Sequence, residues 1–200
     1  GVIPYRRQKR VGQYLMELML QASVERNVRL VQLEVIVGNE PAHNLFLKLG
    51  FEPTRELLII RRPPGAPDPI PAYDEFTPQE VPEGDIPHML EGREVDPSWV
   101  EENSSLLNAG SLRGFHLEVP DGRSGWVIFQ RTPFQLTHFV ISGGIDADIA
   151  RILLYHIHKA YPMQDTKTEN LPENHRMWPI FQEAGYFEVF RRTEMFLYLR

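Results

Sequence analysis

The sequence predicts an α/β (α+β) protein built from two copies of one structural unit, the first shorter than the second. Three observations carry this. Amphipathic segments with helical spacing alternate with β-branched runs along all 200 residues. A proline-rich stretch at 62–71 divides the pattern into two unequal parts. The spacing Asn39, Phe46, Gly50-Phe51 returns as Asn174, Phe181, Gly185-Tyr186, an offset of 135 residues. In both places an amphipathic helix precedes it and an arginine-containing apolar strand follows.

In chain order, 11–27 reads as a helix. Val11, Leu15, Leu18 and Ala22 recur at helical spacing as its buried stripe, Met19 widens the stripe, and Asn27 is a natural stop. The β-branched run 30–37 is a strand, and Glu34 within it reads as an outward-facing residue rather than a base. Gly38 turns the chain into a second helix, with Asn39 as N-cap, Pro41 in the first turn and Gly50 as the C-terminal stop. A strand at 57–60 follows. The five prolines within 62–71 fit neither a ladder nor a helix interior, so that stretch reads as a semi-rigid linker rather than a polyproline ligand. Beyond it, 85–94 and 97–109 read as helices, the latter capped by Asp96. Strands are expected at 114–119, 125–130 and 135–142, with Pro120-Asp121-Gly122 turning between the first two. A helix at 145–160 would bury Ile149, Ile152, Leu153 and Ile157. A helix at 174–184 and a strand at 193–199 close the chain.

Composition narrows the function classes. The apolar fraction of 42% is that of an ordinary globular chain, and no run approaches a membrane span or opens as a signal peptide. With zero cysteines, disulfides, thiol catalysis and cysteine-ligated metals are excluded, which fits a cytoplasmic setting. The net charge of −6 divides into +4 over residues 1–62 and −10 over the remainder. An acidic bulk argues against nucleic acid as partner, and the basic charge is local to one loop.

That loop opens the chain. After the short segment Val2-Ile3-Pro4 come Arg6, Arg7, Lys9 and Arg10, and then Gly12 begins the first helix. A helix start presents N–H groups without intrahelical partners and a partial positive charge. The four basic side chains reinforce that field, and Gly12 lets an anion approach the backbone. Physics alone makes this a phosphate cradle, with a solvated basic turn as the bland alternative.

Arg7-Gln8-Lys9-Arg10-Val11-Gly12 resembles the Arg/Gln-x-x-Gly-x-Gly/Ala acetyl-CoA loop of the GCN5-related N-acetyltransferases. Leu33-Glu34-Val35, Asn39, Ala42, Leu45-Phe46 and Lys48-Leu49-Gly50-Phe51 resemble the second signature of the same family. The resemblance spans 1–62 and implies a GNAT-like mixed twisted sheet flanked by helices. It implies half of one copy at 1–62, a Pro-rich linker at 63–71 and one complete diverged copy at 72–200. On this reading the chain is a tandem-domain member lacking the N-terminal half of its first domain. The resemblance also implies acetyl-CoA as co-substrate, held by Val2, Ile3, Arg7, Gln8, Lys9, Arg10, Val11, Gly12, Gln13, Asn39, Ala42 and Phe46. An amine would attack the thioester directly in a ternary complex, with loop amides on the pyrophosphate. Two departures stand out. Arg10 replaces the loop's first glycine, and Phe46 replaces the tyrosine that many members carry as general acid.

The second copy keeps Ser142-Gly143-Gly144 but has no arginine or lysine there, and Asp146 and Asp148 place carboxylates where a pyrophosphate would sit. Each carboxylate would satisfy that helix start and repel a phosphate by up to about 1 kcal/mol, so this copy is not expected to bind CoA. It is expected to pack against the first or shape its acceptor pocket. Among the histidines, His156 and His158 point to different faces, His116 and His138 lie on separate strands, and His43 is a weak base candidate near the CoA path. The catalytic residues are not assigned. Three functions follow in order: an acetyl-CoA-dependent N-acetyltransferase acting on a primary amine of a small molecule or peptide, a non-catalytic CoA-binding or interaction module, and a basic nucleic-acid-binding loop. No membrane partner is implied, and a homodimer is left open.

Overall fold

The structure is a computed structural model describing residues 3, 5 and 9–199. The elements are α1 (Val11–Glu25), β1 (Leu30–Ile36), α2 (Glu40–Lys48), β2 (Glu52–Arg62), α3 (Pro71–Asp74), β3 (Gln79–Glu80), α4 (Ile86–Glu91) and α5 (Asn103–Ala109). They continue with β4 (Leu112–Glu118), β5 (Ser124–Arg131), β6 (Gln135–Ile141), α6 (Ala147–Ala160), β7 (Asp165–Pro172), α7 (Trp178–Glu183) and β8 (Phe187–Tyr198). The chain forms two compact units: Gly1–Glu56 with Arg191–Arg200, and Leu57–Phe190. Strands β2 and β8 run from one unit into the other. With helices and a mixed sheet, this is the α/β (α+β) class that the alternating pattern predicts.

In the first unit the strand order is β1-β8-β2. Antiparallel pairing runs from Leu30 opposite Tyr198 to Ile36 opposite Arg192. Val35, Phe51 and Met195 form the buried centre, and Met16, Leu20, Ala42 and Phe46 pack onto it. Both helices therefore cover one face of the strands. The stripe predicted for α1 is the wrong one: Leu15, Leu18 and Met19 are about half exposed, and no residue of α1 is fully buried. The helix is apolar on more than one side, so periodicity admits two stripes, and the Met16–Leu20 line faces the core. The stops behave as read. Asn27 takes φ 56° just past α1, and Gly50 takes φ 91° past α2, the left-handed geometry that ends helices.

In the second unit the order is β2-β7-β6-β5-β4-β3, antiparallel throughout except where β6 meets β7. Strand β5 is buried on both faces, as its unbroken apolar run requires. Val127 and Phe129 face a core completed by Ile149, Leu153 and Ile157 of α6. Trp126 and Ile128 face a second cluster with Ile86, Leu90 and Leu106 of α4 and α5.

Three local expectations are corrected here. The helix at 97–109 splits into a 3-10 turn, Trp99–Glu101, and α5, with Ser98 and Glu102 rather than Asp96 at the cap positions. The break turns Glu101 inward, 6% exposed, to within 3.3 Å of His138 Nδ1. The helix at 174–184 starts only at Trp178, because His175 Nδ1 takes the Met177 N–H (3.1 Å) in a preceding turn and Pro179 is compatible only with a helix's first turn. Strand β7 gave no apolar signal, since its buried side consists of Thr166, Thr168 and Asn170 ahead of Leu171.

The internal repeat holds at the level of geometry. Gly185 repeats the 91° φ of Gly50. The Phe51 N–H donates to Phe46 O at 3.0 Å, and the Tyr186 N–H donates to Phe181 O at 3.0 Å. Both aromatic pairs meet edge-on, Phe46 with Phe51 at 5.9 Å and Phe181 with Tyr186 at 5.0 Å.

Candidate active site

The cradle expected from the sequence falls at the start of α1, in the first unit. Val2, Arg7 and Gln8 lie outside the described residues, as does Arg6. Of the others, Ile3 is half exposed, and Lys9 and Arg10 are exposed. Arg10 occupies the N-cap position of α1 with φ 58° and ψ 11°, a left-handed backbone that costs a side-chain-bearing residue roughly 1–2 kcal/mol. It adopts the conformation a glycine would supply while retaining a positive charge. Its carbonyl accepts the Tyr14 N–H at 3.0 Å, closing the first turn. Among the described residues no side chain caps α1, and no acidic residue lies in its first turn. The N–H groups of Val11, Gly12 and Gln13 belong to the first turn, where an α-helix offers no intrahelical acceptor. Gln13 turns its side chain away along the helix, donating to Glu17 at 2.8 Å. These residues fit the pyrophosphate of a CoA thioester.

Asn39 occupies the N-cap position of α2 but makes no capping hydrogen bond with its side chain, which is exposed. Ala42 and Phe46 are half-buried against the core of the first unit, and Phe46 packs edge-on to Phe51. Phe46 therefore acts as a packing residue there. His43, on the same helix, is half-buried and makes no side-chain hydrogen bond among the described residues.

Glu34 departs from expectation. Its side chain is only 7% exposed and accepts from Arg192 Nη1 at 2.9 Å. Directly opposite it on β8 stands Glu194, held by Arg55 Nε at 2.8 Å and the Thr54 hydroxyl at 3.0 Å. The second face of β1 carries an ion-pair ladder rather than a solvated surface.

The equivalent helix start in the second unit is occupied by the chain itself. Asp146 caps α6, accepting from the Asp148 N–H at 2.9 Å, and this bond holds its pKa below the usual carboxylate value. Asp148 pairs with Arg151 at 2.9 Å. A second carboxylate, which sequence reasoning missed, comes from a distant loop: Glu94 accepts the Gly144 N–H at 3.0 Å and an ion pair from Arg176. The Arg176 hydrogen bond holds the Glu94 pKa low. Backbone follows the side chain. β6 and β7 pair only from Gln135 opposite Asp165 to Thr137 opposite Lys167, and segment 92–98 fills the splay beyond. The Glu94 N–H donates to Ile141 O at 2.8 Å, and the Gly143 N–H to Gly92 O at 2.7 Å. About 30 Å³ of free volume is left there. These residues do not fit a CoA pyrophosphate.

The histidines go to structural tasks. His156 Nε2 meets Tyr73 O at 2.9 Å, and His158 is buried against the Tyr186 hydroxyl at 3.0 Å. His116 and His138 lie on β4 and β6, with β5 between them.

The mixed sheet with its splayed parallel pair and flanking helices has the fold of GCN5-related N-acetyltransferases (GNAT). Residues 1–51 match the model of the acetyltransferase (GNAT) family, so the opening quarter of the chain carries that family's own sequence pattern. The whole chain is similar in fold to a GCN5-related N-acetyltransferase from Sphaerobacter thermophilus, with TM-score 0.68 and 17% identity over 100% of this chain and 71% of that one. A tandem GNAT protein from the clavulanic acid biosynthesis pathway gives TM-score 0.61 and 14% identity, covering 99% of this chain and 73% of that one. A GCN5-related N-acetyltransferase from Anabaena variabilis gives 0.54 and 14%, covering 98% and 52%. No curated protein matches the sequence. The family match supports acyl transfer as the general chemistry. Among the described residues, no helix is long and apolar enough to cross a membrane.

Proposed function

We propose that the chain belongs to an acetyl-CoA-dependent N-acetyltransferase of the cytoplasm whose single cofactor cradle is the start of α1, and that it acts on a primary amine. The observation that carries this is the contrast between the two helix starts. α1 has no side-chain cap among the described residues, follows a basic stretch of sequence and holds Arg10 in a glycine-like conformation. α6 is closed by Asp146 and Glu94. Acetyl-CoA as co-substrate supplies the activated acetyl group. The chain's own part is to hold the diphosphate on the first-turn amides and on Lys9 and Arg10, fixing the thioester for direct attack by the amine. Arg7 and Gln8 join that set by their place in the motif.

Phe46 favours a second reading, a CoA-binding module without catalysis, because it cannot donate a proton to the departing thiolate. One experiment separates the two. Calorimetric titration with acetyl-CoA, beside an Arg7→Ala/Arg10→Ala double variant, is followed by thiol release over a panel of primary amines. Binding lost in the variant together with amine-dependent thiol release supports transfer. Binding without release supports the module, and undiminished binding in the variant removes the cradle.

A further inference from the structure

The proline-rich stretch does more than space two parts of the chain. It runs within the second unit as a strap, fixed by the Gly65 N–H donating to Pro162 O at 2.7 Å. The strap ends in α3, where Asp74 takes hydrogen bonds from the Tyr155 hydroxyl at 2.9 Å and Lys159 Nζ at 2.6 Å. Beneath it lies a cavity of about 450 Å³, within the range of small-molecule sites. Its apolar walls are Pro67, Ile70, Tyr73, Tyr155 and Ile180, and the two tyrosine rings meet edge-on at 5.5 Å.

Arg62 lines this cavity and is 8% exposed. Its Nε donates to Ala184 O at 2.8 Å and its Nη1 to Pro63 O at 3.3 Å. Both acceptors are neutral, and Arg62 has no carboxylate partner among the described residues. Burial pulls its pKa below the ordinary guanidinium value. The nearby Tyr186 phenol offers no counter-charge, since burial drives its own pKa upward and keeps it neutral. Arg151, also on the cavity wall, is by contrast matched by Glu183 at 2.6 Å and Asp148 at 2.9 Å. A buried cation without an anion is costly, and a cavity beside it is where the anion can enter. His158 supplies a second unmet group: it lines the same cavity at 1% exposure, and its Nδ1 has no hydrogen-bond partner among the described residues.

We propose that this cavity is a binding site for a small organic carboxylate, with the carboxylate on Arg62 and an apolar or aromatic body between Ile70, Tyr73, Tyr155 and Ile180. A single guanidinium matches one planar carboxylate. Asp68 on the same wall opposes the higher charge of a phosphate. The lining lies wholly within the second unit and shares no residue with the α1 cradle, so the proposal does not depend on the acetyl-CoA reading.

The test is calorimetric titration of the full chain with benzoate, phenylacetate and hexanoate, with phenylacetamide as neutral isostere and inorganic phosphate as competitor anion. The titrations are repeated with coenzyme A present to separate this site from the loop. At least one carboxylate is expected to bind with coenzyme A present, with phenylacetamide and phosphate weaker by roughly tenfold or more. Arg62→Met is expected to lose the same factor. Because that substitution also removes the bond to Ala184, Ala66→Trp serves as a second variant. It fills the cavity from the strap, leaves Arg62 in place, and is expected to abolish binding at an unchanged melting temperature. Equal binding of phenylacetate and its amide, phosphate binding at least as tightly, retained binding in either variant, or no carboxylate binding up to roughly 10 mM overturns the proposal.

Discussion

Replacing Arg10 by glycine should move stability and affinity in opposite directions. Arg10 sits at φ 58°, where a residue with a Cβ forfeits about 1–2 kcal/mol. Glycine removes that strain but adds chain entropy to the unfolded state, about 0.5–1 kcal/mol. The difference leaves a net gain of roughly 0.5–1 kcal/mol, or about 1–4 °C in melting temperature for a chain of this size. The same substitution removes one exposed guanidinium from the loop. A charge-assisted contact with phosphate is worth about 1.5–3 kcal/mol when well formed, and solvent exposure reduces it to about 1 kcal/mol. Acetyl-CoA should therefore bind about fivefold more weakly. Thermal melting and calorimetric titration, each with Arg10→Lys and Arg10→Ala beside the glycine variant, separate the two effects. The expected affinity order is Arg and Lys above Gly and Ala, and the expected stability order is Gly above the other three. The affinity gap should narrow with added salt. A glycine variant that binds acetyl-CoA as tightly as the parent would refute the charge argument, and one that melts lower would refute the strain argument.

Three further outcomes follow from the second unit and the paired helix stops. His158 is buried with its pKa lowered to about 3, so it is neutral when folded while the unfolded ring titrates near 6.5. The unfolded state then binds the extra proton between those values, and stability from this group falls as pH drops below 6.5, at up to about 1.4 kcal/mol per pH unit. Urea midpoints from pH 7 to 4 should fall less steeply in His158→Gln. Glu94 has the opposite charge type with the same sign of dependence: its lowered pKa gives stability that is present above the ordinary glutamate value of 4.5 and is lost as pH falls further. Glu94→Gln should cost about 1–2 kcal/mol at neutral pH and flatten the urea-midpoint profile below pH 4.5. Gly50→Ala and Gly185→Ala each force a Cβ into φ 91°, with Leu197 Cδ1 3.4 Å from the first and Arg62 Nε 3.7 Å from the second. Each should lower stability by about 1–2 kcal/mol in urea unfolding, and an effect at only one would break the equivalence of the two stops.

What could be read from the sequence was local, and what could not was set by distance. The stop at Gly50-Phe51 and its counterpart at Gly185-Tyr186 depend on a glycine and aromatic rings within a few residues, so spacing alone located both. The Asp146 cap was legible for the same reason. Glu94 was not, because the N–H it accepts belongs to Gly144, fifty positions along the chain, and nothing near Glu94 announces that bond. The polar inner side of β7 inverted the usual signal. Thr166, Thr168 and Asn170 are buried where alternation would require apolar residues. In α1 the reverse problem arose: too many apolar positions gave two stripes, and only the packing of Met16 and Leu20 selects one. Glu34 looked solvated because its alternation was right, but Arg192 lies beside it on a strand that arrives from the far end of the chain.

The two units place the fold and the chemistry in different residues. Their helix ends agree in backbone torsion, in hydrogen bonding and in the edge-on contact of two rings. Their helix starts are electrostatic opposites. α1 follows Lys9 and Arg10 and has no side-chain cap among the described residues; at α6 Asp146 takes the Asp148 N–H, and Glu94 takes the Gly144 N–H of the preceding loop. Charge reversal alone would not convert the second start into the first. Segment 92–98 also fills the splay between β6 and β7, with backbone hydrogen bonds at 2.7 and 2.8 Å. A ligand would have to displace that segment and break both bonds before meeting the amides. The second unit is thus closed twice, by charge and by chain, while the same stop geometry persists in it. That persistence is what a role in packing predicts, and it ties the helix–Gly–aromatic pattern to the fold rather than to the cofactor.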